Sequence, residues 1–299
     1  MMPSLVMKTL NIIGAGRVGR TLAALWQQHG VFEIGGLCNR TLRSTHAAIV
    51  FIGAGRAADA LRAMQSADVW LLATADGEIA RVAADLGTSG LLRVGDVVFH
   101  CSGALPASDL RAAIMAGVHI ASVHPLKSFA DPREAVRTFA GVYCAAEGEA
   151  AALALLVPAF EKIGACVREI DTQFKTVYHA ASVMVCNYLT ALMDAGLQCY
   201  EKAGLPRAAA SAMMEPLVRE TVDNVFKLGT VKALTGPIAR GDHAVVQRQW
   251  DALRDFDPRL ADVYRALGTV AVELSRKQGE ASEAALTALS RLFQVKTPE

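Results

Sequence analysis

Through the first half of the chain, apolar residues fall into short unbroken runs separated by stretches where they recur every three or four positions. The runs at 9–14, 32–38, 69–75, 97–101, 119–123, 142–145 and 166–170 predict strands. The intervening stretches at 17–29, 79–86, 108–116 and 150–163 predict amphipathic helices. Strands that alternate with helices imply a mostly parallel sheet covered on both faces, a doubly wound α/β domain.

The pattern changes near Asp171. Beyond it no strand is expected, and helical periodicity covers 173–203, 207–228, 242–255, 258–277 and 282–293. Pro206 and Pro258 stand where helices would begin, and Gly204, Gly229 and Gly279 stand near helix ends. The expected layout is therefore an α/β domain over 1–171 and an all-α domain over 172–299. Residues 176–193 carry no charged side chain, which approaches the length of a membrane span. His179, Ser182, Asn187 and Thr190 interrupt the stretch, so a helix buried inside a domain or a dimer is expected, with no membrane partner.

Composition narrows the class. With 299 residues and 53% apolar content, the chain is long and apolar enough for two packed domains without disulfide or metal staples. Lys plus Arg number 15 against 15 Asp plus Glu in 1–171, and 15 against 14 in 172–299. A balanced surface of this kind disfavours nucleic acid and anionic lipid as partners. The six cysteines are scattered and form no C-x-x-C pair, which fits reduced thiols and a cytoplasmic setting with no metal site. The opening MMPSLVMKTLNIIGAG lacks a basic region followed by a long apolar one, so no signal peptide is expected.

The strongest chemical signal is Gly14-Ala15-Gly16-Arg17-Val18-Gly19, placed between a predicted strand and a predicted helix. In that context the first glycine makes the tight turn, the second lets a pyrophosphate approach the backbone, and the third packs helix on strand. The helix N-terminus then offers free N–H groups to phosphate. About twenty residues further on, an NAD site would place a carboxylate. Here the chain reads Cys38-Asn39-Arg40-Thr41, where Asn39 can bond a ribose and Arg40 can pair with a 2′-phosphate. NADP(H) is the expected cofactor.

Ligands of such sheets bind beyond the carboxyl ends of the strands. Thr74 and Asp76 follow one strand, and Asp76 also suits a helix N-cap. Ser102 follows the next, within reach of a nicotinamide amide or a substrate. His124, before Pro125, follows a third and suits a proton or hydrogen-bond role. Lys175 and His179 stand four residues apart on one helix face, and Asn187 needs partners inside its apolar run.

Taken together, six segments resemble a known bacterial family: GAGRVG at 14–19, NRT at 39–41, HCSGAL at 100–105, HPLKSF at 124–129, KTVYHAASVMVCNYL at 175–189 and LTGPIARGD at 234–242. That family pairs a Rossmann-like domain with a C-terminal helical domain of unknown function. It lies in the group that includes 6-phosphogluconate and hydroxyisobutyrate dehydrogenases, ketopantoate reductase, pyrroline-5-carboxylate reductase and prephenate dehydrogenase. The resemblance implies that Lys175 protonates the carbonyl being reduced, although His179 stands where those enzymes carry Asn. It implies a catalytic role for His124, substrate contacts from Asp242, and a dimer packed through the helical domains. Arg240 would clamp a carboxylate.

The expected function is an NADP(H)-dependent oxidoreductase that reduces a C=O or C=N bond in a small carboxylate-bearing metabolite. Ketopantoate is the first candidate, with Lys175, His124 and His179 ranked in that order as proton donor. Clustering with the histidines is expected to lower the Lys175 pKa. The alternatives are a prephenate-type or imine-reducing dehydrogenase, a deazaflavin-dependent NADP reductase, and a non-catalytic NADP(H) sensor. The deazaflavin reading leaves the second half of the chain unexplained.

Overall fold

The computed structural model describes residues 7–111, 114–115 and 117–294. The opening hexapeptide MMPSLV and part of the helix expected over 108–116 lie outside those residues. The chain divides into two compact units, Met1–Val185 and Cys186–Glu299.

The first unit is built on one eight-stranded sheet in the order β3-β2-β1-β4-β5-β6-β7-β8. Its strands are β1 (Thr9–Ile13), β2 (Glu33–Cys38), β3 (Arg56–Ala58), β4 (Val69–Leu72), β5 (Val97–His100), β6 (His119–Pro125), β7 (Tyr143–Gly148) and β8 (Cys166–Glu169). All neighbours run parallel except β6 and β7. The first six follow the order of dinucleotide-binding sheets, which places the topological switch point between β1 and β4. Helices α1 (Arg17–Gln28), α2 (Leu42–Ile52), α3 (Asp76–Thr88), α4 (Pro132–Arg137) and α5 (Ala150–Glu161) connect the strands. On one face Trp26 of α1 meets Phe32, Phe99 and Phe160 edge-on, and its indole N–H donates to the Ala159 carbonyl at 3.0 Å. The opposite face packs Trp70, Leu72 and Val98 against Ile79, Ala83 and Leu86 of α3.

Strand β3 and helices α2 and α4 were not anticipated from periodicity, because each is too short or too exposed to show a repeat. The start of the stretch at 108–116 forms only a 3-10 turn, Ala107–Leu110.

Helix α6 (Lys175–Lys202) begins in the first unit and ends in the second. The span Thr172–Lys202 is long and apolar enough to cross a membrane by length and composition. Of the two expected settings, a domain interior or a dimer, the first is not found: nothing in its apolar window is buried within the single chain. The reason is visible in the burial pattern: Val177, Met184, Val185 and Tyr188 are all exposed.

The second unit contains the rest of α6 and α7 (Arg207–Leu228), α8 (Thr230–Ala233), α9 (His243–Phe256), α10 (Pro258–Gln278) and α11 (Glu283–Gln294). No strand occurs among its described residues. Val246 and Trp250 of α9 pack with Ala261 and Val272 of α10 and with Leu286, Leu289 and Phe293 of α11. The caps explain the boundaries. Asp257 accepts from the Arg259 N–H at 2.9 Å with Pro258 in the first turn, and Gly279 ends α10 at φ +79°.

Candidate functional site

The loop after β1 has the geometry its glycines demand. Gly14 sits at φ +88°, and a Cβ there would lie 2.8 Å from the Thr74 nitrogen, so only glycine fits. Gly19 lies close against Ala73, whereas a Cβ on Gly16 would meet nothing nearer than 3.9 Å. The backbone at Gly16 is therefore bare toward the space beside it. Gly16 also begins α1 without a side-chain cap, which leaves the first-turn N–H groups for an anion.

That space is a cleft of about 760 Å³ at the switch point. Gly14, Ala15 and Gly16 form its floor, Asn39, Arg40, Thr41 and Ser44 one wall, and Thr74 and Ala75 another. Two acceptors are buried there without any hydrogen-bond partner among the described residues, Asn39 Oδ1 and Thr74 Oγ1. Unpaired buried oxygens are costly unless a ligand satisfies them. Arg40 is exposed and makes no ion pair among the described residues, while Thr41 caps α2 by accepting from the Ser44 N–H at 3.3 Å. A dinucleotide with a 2′-phosphate fits this donor set: Gly14–Gly16 and the start of α1 for the pyrophosphate, Asn39, Arg40 and Thr41 for the ribose phosphate. Arg17 and Val18 stand apart from the cleft walls, Arg17 exposed and Val18 packed on the core. Asp76 opens α3 in its first turn, and Ala75 occupies the cap position instead.

Ser102 has a structural role beside the expected one. Its Oγ accepts from the N–H groups of Ala104 and Leu105, at 3.1 and 3.0 Å, and so shapes the loop after β5.

A second polar cluster lies behind the ends of β5, β6 and β7. In the sheet register His100 pairs with Ser122, and Ser122 pairs with Glu147. Side chains opposite one another share a face. Onto that face drops Lys175, the first residue of α6. Its Nζ donates to Glu147 Oε1 at 2.9 Å and to Ser122 Oγ. The Glu147 carboxylate also accepts from the Ala107 N–H at 2.8 Å and from Thr172 Oγ1 at 3.0 Å. Burial lowers the Lys175 pKa, and the Glu147 carboxylate opposes that shift. The cause is thus desolvation, not repulsion from the histidines as expected. His100 is held neutral, its pKa lowered to about 4 by burial and then by Lys175. Its Nδ1 accepts from the Ser102 N–H at 3.2 Å.

At the edge of this cluster, His124 and His179 stand with ring centroids 5.7 Å apart. His124 Nδ1 lies 3.1 Å from the Tyr178 hydroxyl. His179 Nδ1 is buried without a hydrogen-bond partner among the described residues. The structure therefore brings Lys175, His124 and His179 into one region of the first unit, with Lys175 at its buried side. Sequence reasoning missed Ser122, Glu147 and Tyr178. A carboxylate inside the apolar run Tyr143–Gly148 was the available signal for Glu147.

The remaining candidates lie in the second unit. Asp242 caps α9, accepting from the Val245 N–H at 3.1 Å. Arg240 is exposed, and Asn187 is exposed on α6 instead of finding partners inside its apolar run. No hydrogen bond links the three among the described residues. No group of three or more His, Cys, Asp or Glu is placed to hold a metal there or elsewhere among those residues.

Residues 5–125 match the Rossmann-like domain, and residues 142–271 match the domain of unknown function DUF2520. No curated protein sequence matches the chain. Protein TM1727 from Thermotoga maritima has a similar crystal structure, with 24% identity, TM-score 0.72, and coverage of 90% of this chain and 99% of that one. BF3122 from Bacteroides fragilis, proposed to be an NADP oxidoreductase, shares 21% identity at TM-score 0.66 over 92% and 98% of the two chains. A pyrroline-5-carboxylate reductase from Coxiella burnetii shares 16% identity at TM-score 0.56 over 91% and 99%. At these identities the likeness establishes the fold. The chain thus joins a segment that matches the Rossmann-like domain to a segment that matches the DUF2520 domain of unknown function.

Proposed function

We propose that this protein is an NADP(H)-dependent reductase of a C=O or C=N bond in a small carboxylate-bearing metabolite, working as a homodimer in the reducing cytoplasm. The observation that carries the reading is the cleft at the β1/β4 switch point. It combines a bare Gly16 backbone with two buried acceptors at Asn39 and Thr74 and an Arg40 guanidinium that have no partner among the described residues. The turn directly after β2 carries no carboxylate to repel a 2′-phosphate, and Glu78 and Asp85, which also line the cleft, are both paired with Arg81. A bound reduced nicotinamide would supply hydride, and the chain's own residues would orient it and deliver a proton. The polar groups of the first unit support the second task, since His124 at the end of β6 lies close enough to Asp76, which follows β4 beside the cleft, to feel its charge. Six free cysteines agree with a reducing compartment.

Calorimetry with NADPH and NADH, followed by an NADPH-oxidation screen over 2-oxo acids, cyclic imines and aldehydes, tests the reading. Ketopantoate and a cyclic imino acid belong at the head of the panel. Tight NADPH binding with turnover of a carboxylate-bearing acceptor is the expected result. Absence of NADPH binding would overturn it.

A further inference from the structure

We infer that Tyr178 is the proton source for the proposed reduction and that His124 carries the proton from it to the substrate. The inference rests on the reductase reading and adds the residues that complete its chemistry.

The geometry is specific. His124, at the end of β6, is half-buried, and its two nitrogens have different surroundings. Nδ1 faces the Tyr178 hydroxyl at 3.1 Å, with the rings edge-to-face at 5.9 Å. Nε2 has no hydrogen-bond partner among the described residues. It borders Gly103, where a Cβ would come within 2.8 Å of it and closer still to His179 Nδ1, so only glycine fits against that nitrogen and no side chain of the loop covers it. Lys175 sits one turn before Tyr178 on α6, locked to Glu147 and Ser122, and so fixes the helix turn that presents Tyr178. Four groups face His124: His179, Lys175 and Tyr178 from α6, and Asp76 from the start of α3.

Burial, His179 and Lys175 lower the His124 pKa to about 4, against a weaker pull from Asp76. At neutral pH the ring therefore carries a single proton and is no imidazolium. A neutral imidazole gives up its one N–H readily only if its other nitrogen gains a proton at the same time. The Tyr178 hydroxyl is placed to supply it. Burial raises the Tyr178 pKa to about 12, so the phenol is protonated and ready. Hydride supplied by a bound reduced nicotinamide would leave the new electron pair on the oxygen or nitrogen of the substrate. That atom forms a bond to the Nε2 proton as the Nε2–H bond breaks. Nδ1 forms a bond to the Tyr178 proton as the O–H bond breaks, and the phenolate takes a proton from water. An alkoxide or amide anion is a stronger base than a phenolate, so the net transfer runs downhill.

The test combines nitrogen-15 NMR of the histidines with kinetics on wild type and Tyr178→Phe. Phenylalanine keeps the ring packing and removes only the hydroxyl, and thermal unfolding checks that the fold is intact. Wild-type His124 is expected as the Nε2–H tautomer, with that preference lost in Tyr178→Phe. Turnover is expected to fall by roughly a hundredfold or more, with NADPH affinity unchanged. An Nδ1–H tautomer in the wild type, or a Tyr178→Phe enzyme with near wild-type turnover, overturns the relay. Failure of the wild type to bind NADPH or reduce any acceptor is seen before a variant is made. It overturns the reductase reading, and the relay's catalytic role with it.

Discussion

Lys175 Nζ and Glu147 Oε1 form an ion pair at 2.9 Å in which each side chain is only 1% exposed. It joins the first residue of α6 to β7, an antiparallel strand, across a separation of 28 residues. Burying two charges is tolerable only when nearly every lone pair and proton finds a partner, and Ser122, Ala107 and Thr172 provide them. The pair therefore anchors α6 to the sheet.

Removing one partner leaves the other charge buried and unpaired. Lys175→Met and Glu147→Ala are each expected to lower unfolding free energy by about 3–5 kcal/mol. The double variant should recover much of that loss, because no isolated charge remains. Urea denaturation of the two single variants and the double variant measures the coupling. A Lys175→Met protein of wild-type stability that has lost turnover would instead return Lys175 to the role of proton donor.

Cofactor choice follows from Arg40 and the missing carboxylate. NADPH is expected to bind at least tenfold more tightly than NADH, a difference of about 1.4 kcal/mol. Arg40→Asp should abolish or reverse that preference by placing a negative charge beside the 2′-phosphate. Thr74→Val should weaken both cofactors alike, since its hydroxyl lies at the shared end of the cleft. Equal affinities of the wild type for the two cofactors would refute the assignment.

Stability should depend on pH through His100 and His124. Both have folded pKa values of about 4, against an ordinary value of 6.5. Between these limits the unfolded chain binds protons that the folded chain does not, so stability falls as pH drops from about 6.5 to about 4. Above 6.5 both states are neutral and the contribution is complete. Each proton contributes a slope of at most about 1.4 kcal/mol per pH unit. Denaturation midpoints across that window check the slope, and His100→Gln should flatten it.

The sequence made the framework legible because its main signals are local. Seven strand runs, the glycine loop and the proline and glycine boundaries of α7 and α10 all follow from residues near one another. The candidate site was legible only where a motif sits on one loop, as at 14–19 and 39–41. Lys175 was singled out by type and place, yet its environment depends on Glu147 and Ser122. Their approach comes from a strand register that no periodicity records. Tyr178 was passed over because a tyrosine in an apolar helix usually packs. Its hydroxyl gains meaning only from His124, which is 54 residues away.

The exposed apolar side chains of α6 predict assembly. Val177, Met184, Tyr188 and Leu192 recur at intervals of seven and four, so they form one stripe along the helix. Tyr188 alone is 62% exposed. Continuous apolar stripes of this kind mark interfaces, and a symmetric pair of copies covers the same stripe on both. Light scattering at micromolar concentration is expected to give a particle of twice 31.7 kDa. Met184→Glu with Tyr188→Glu should dissociate it. A stable monomer, or partition of the wild type into lipid vesicles, would contradict this.

Gly103 offers the sharpest steric test of the imidazole pair. Its backbone does not lie in the left-handed region, so alanine meets no conformational penalty there. The added methyl would instead fall within 2.8 Å of His124 Nε2 and closer still to His179 Nδ1. Those atoms end rotatable side chains, so the rings swing away and the fold survives at a cost of about 1–3 kcal/mol. The displaced His124 then loses its alignment with the Tyr178 hydroxyl. Gly103→Ala is therefore expected to bind NADPH normally, since Gly103 is not among the residues that line the cleft, while losing most of its turnover. Serine should behave like alanine, because the defect is volume and not polarity. Isothermal calorimetry beside steady-state rates separates binding from chemistry. A Gly103→Ala enzyme with unchanged rates would show that the alignment of His124 with Tyr178 plays no part in protonating the substrate.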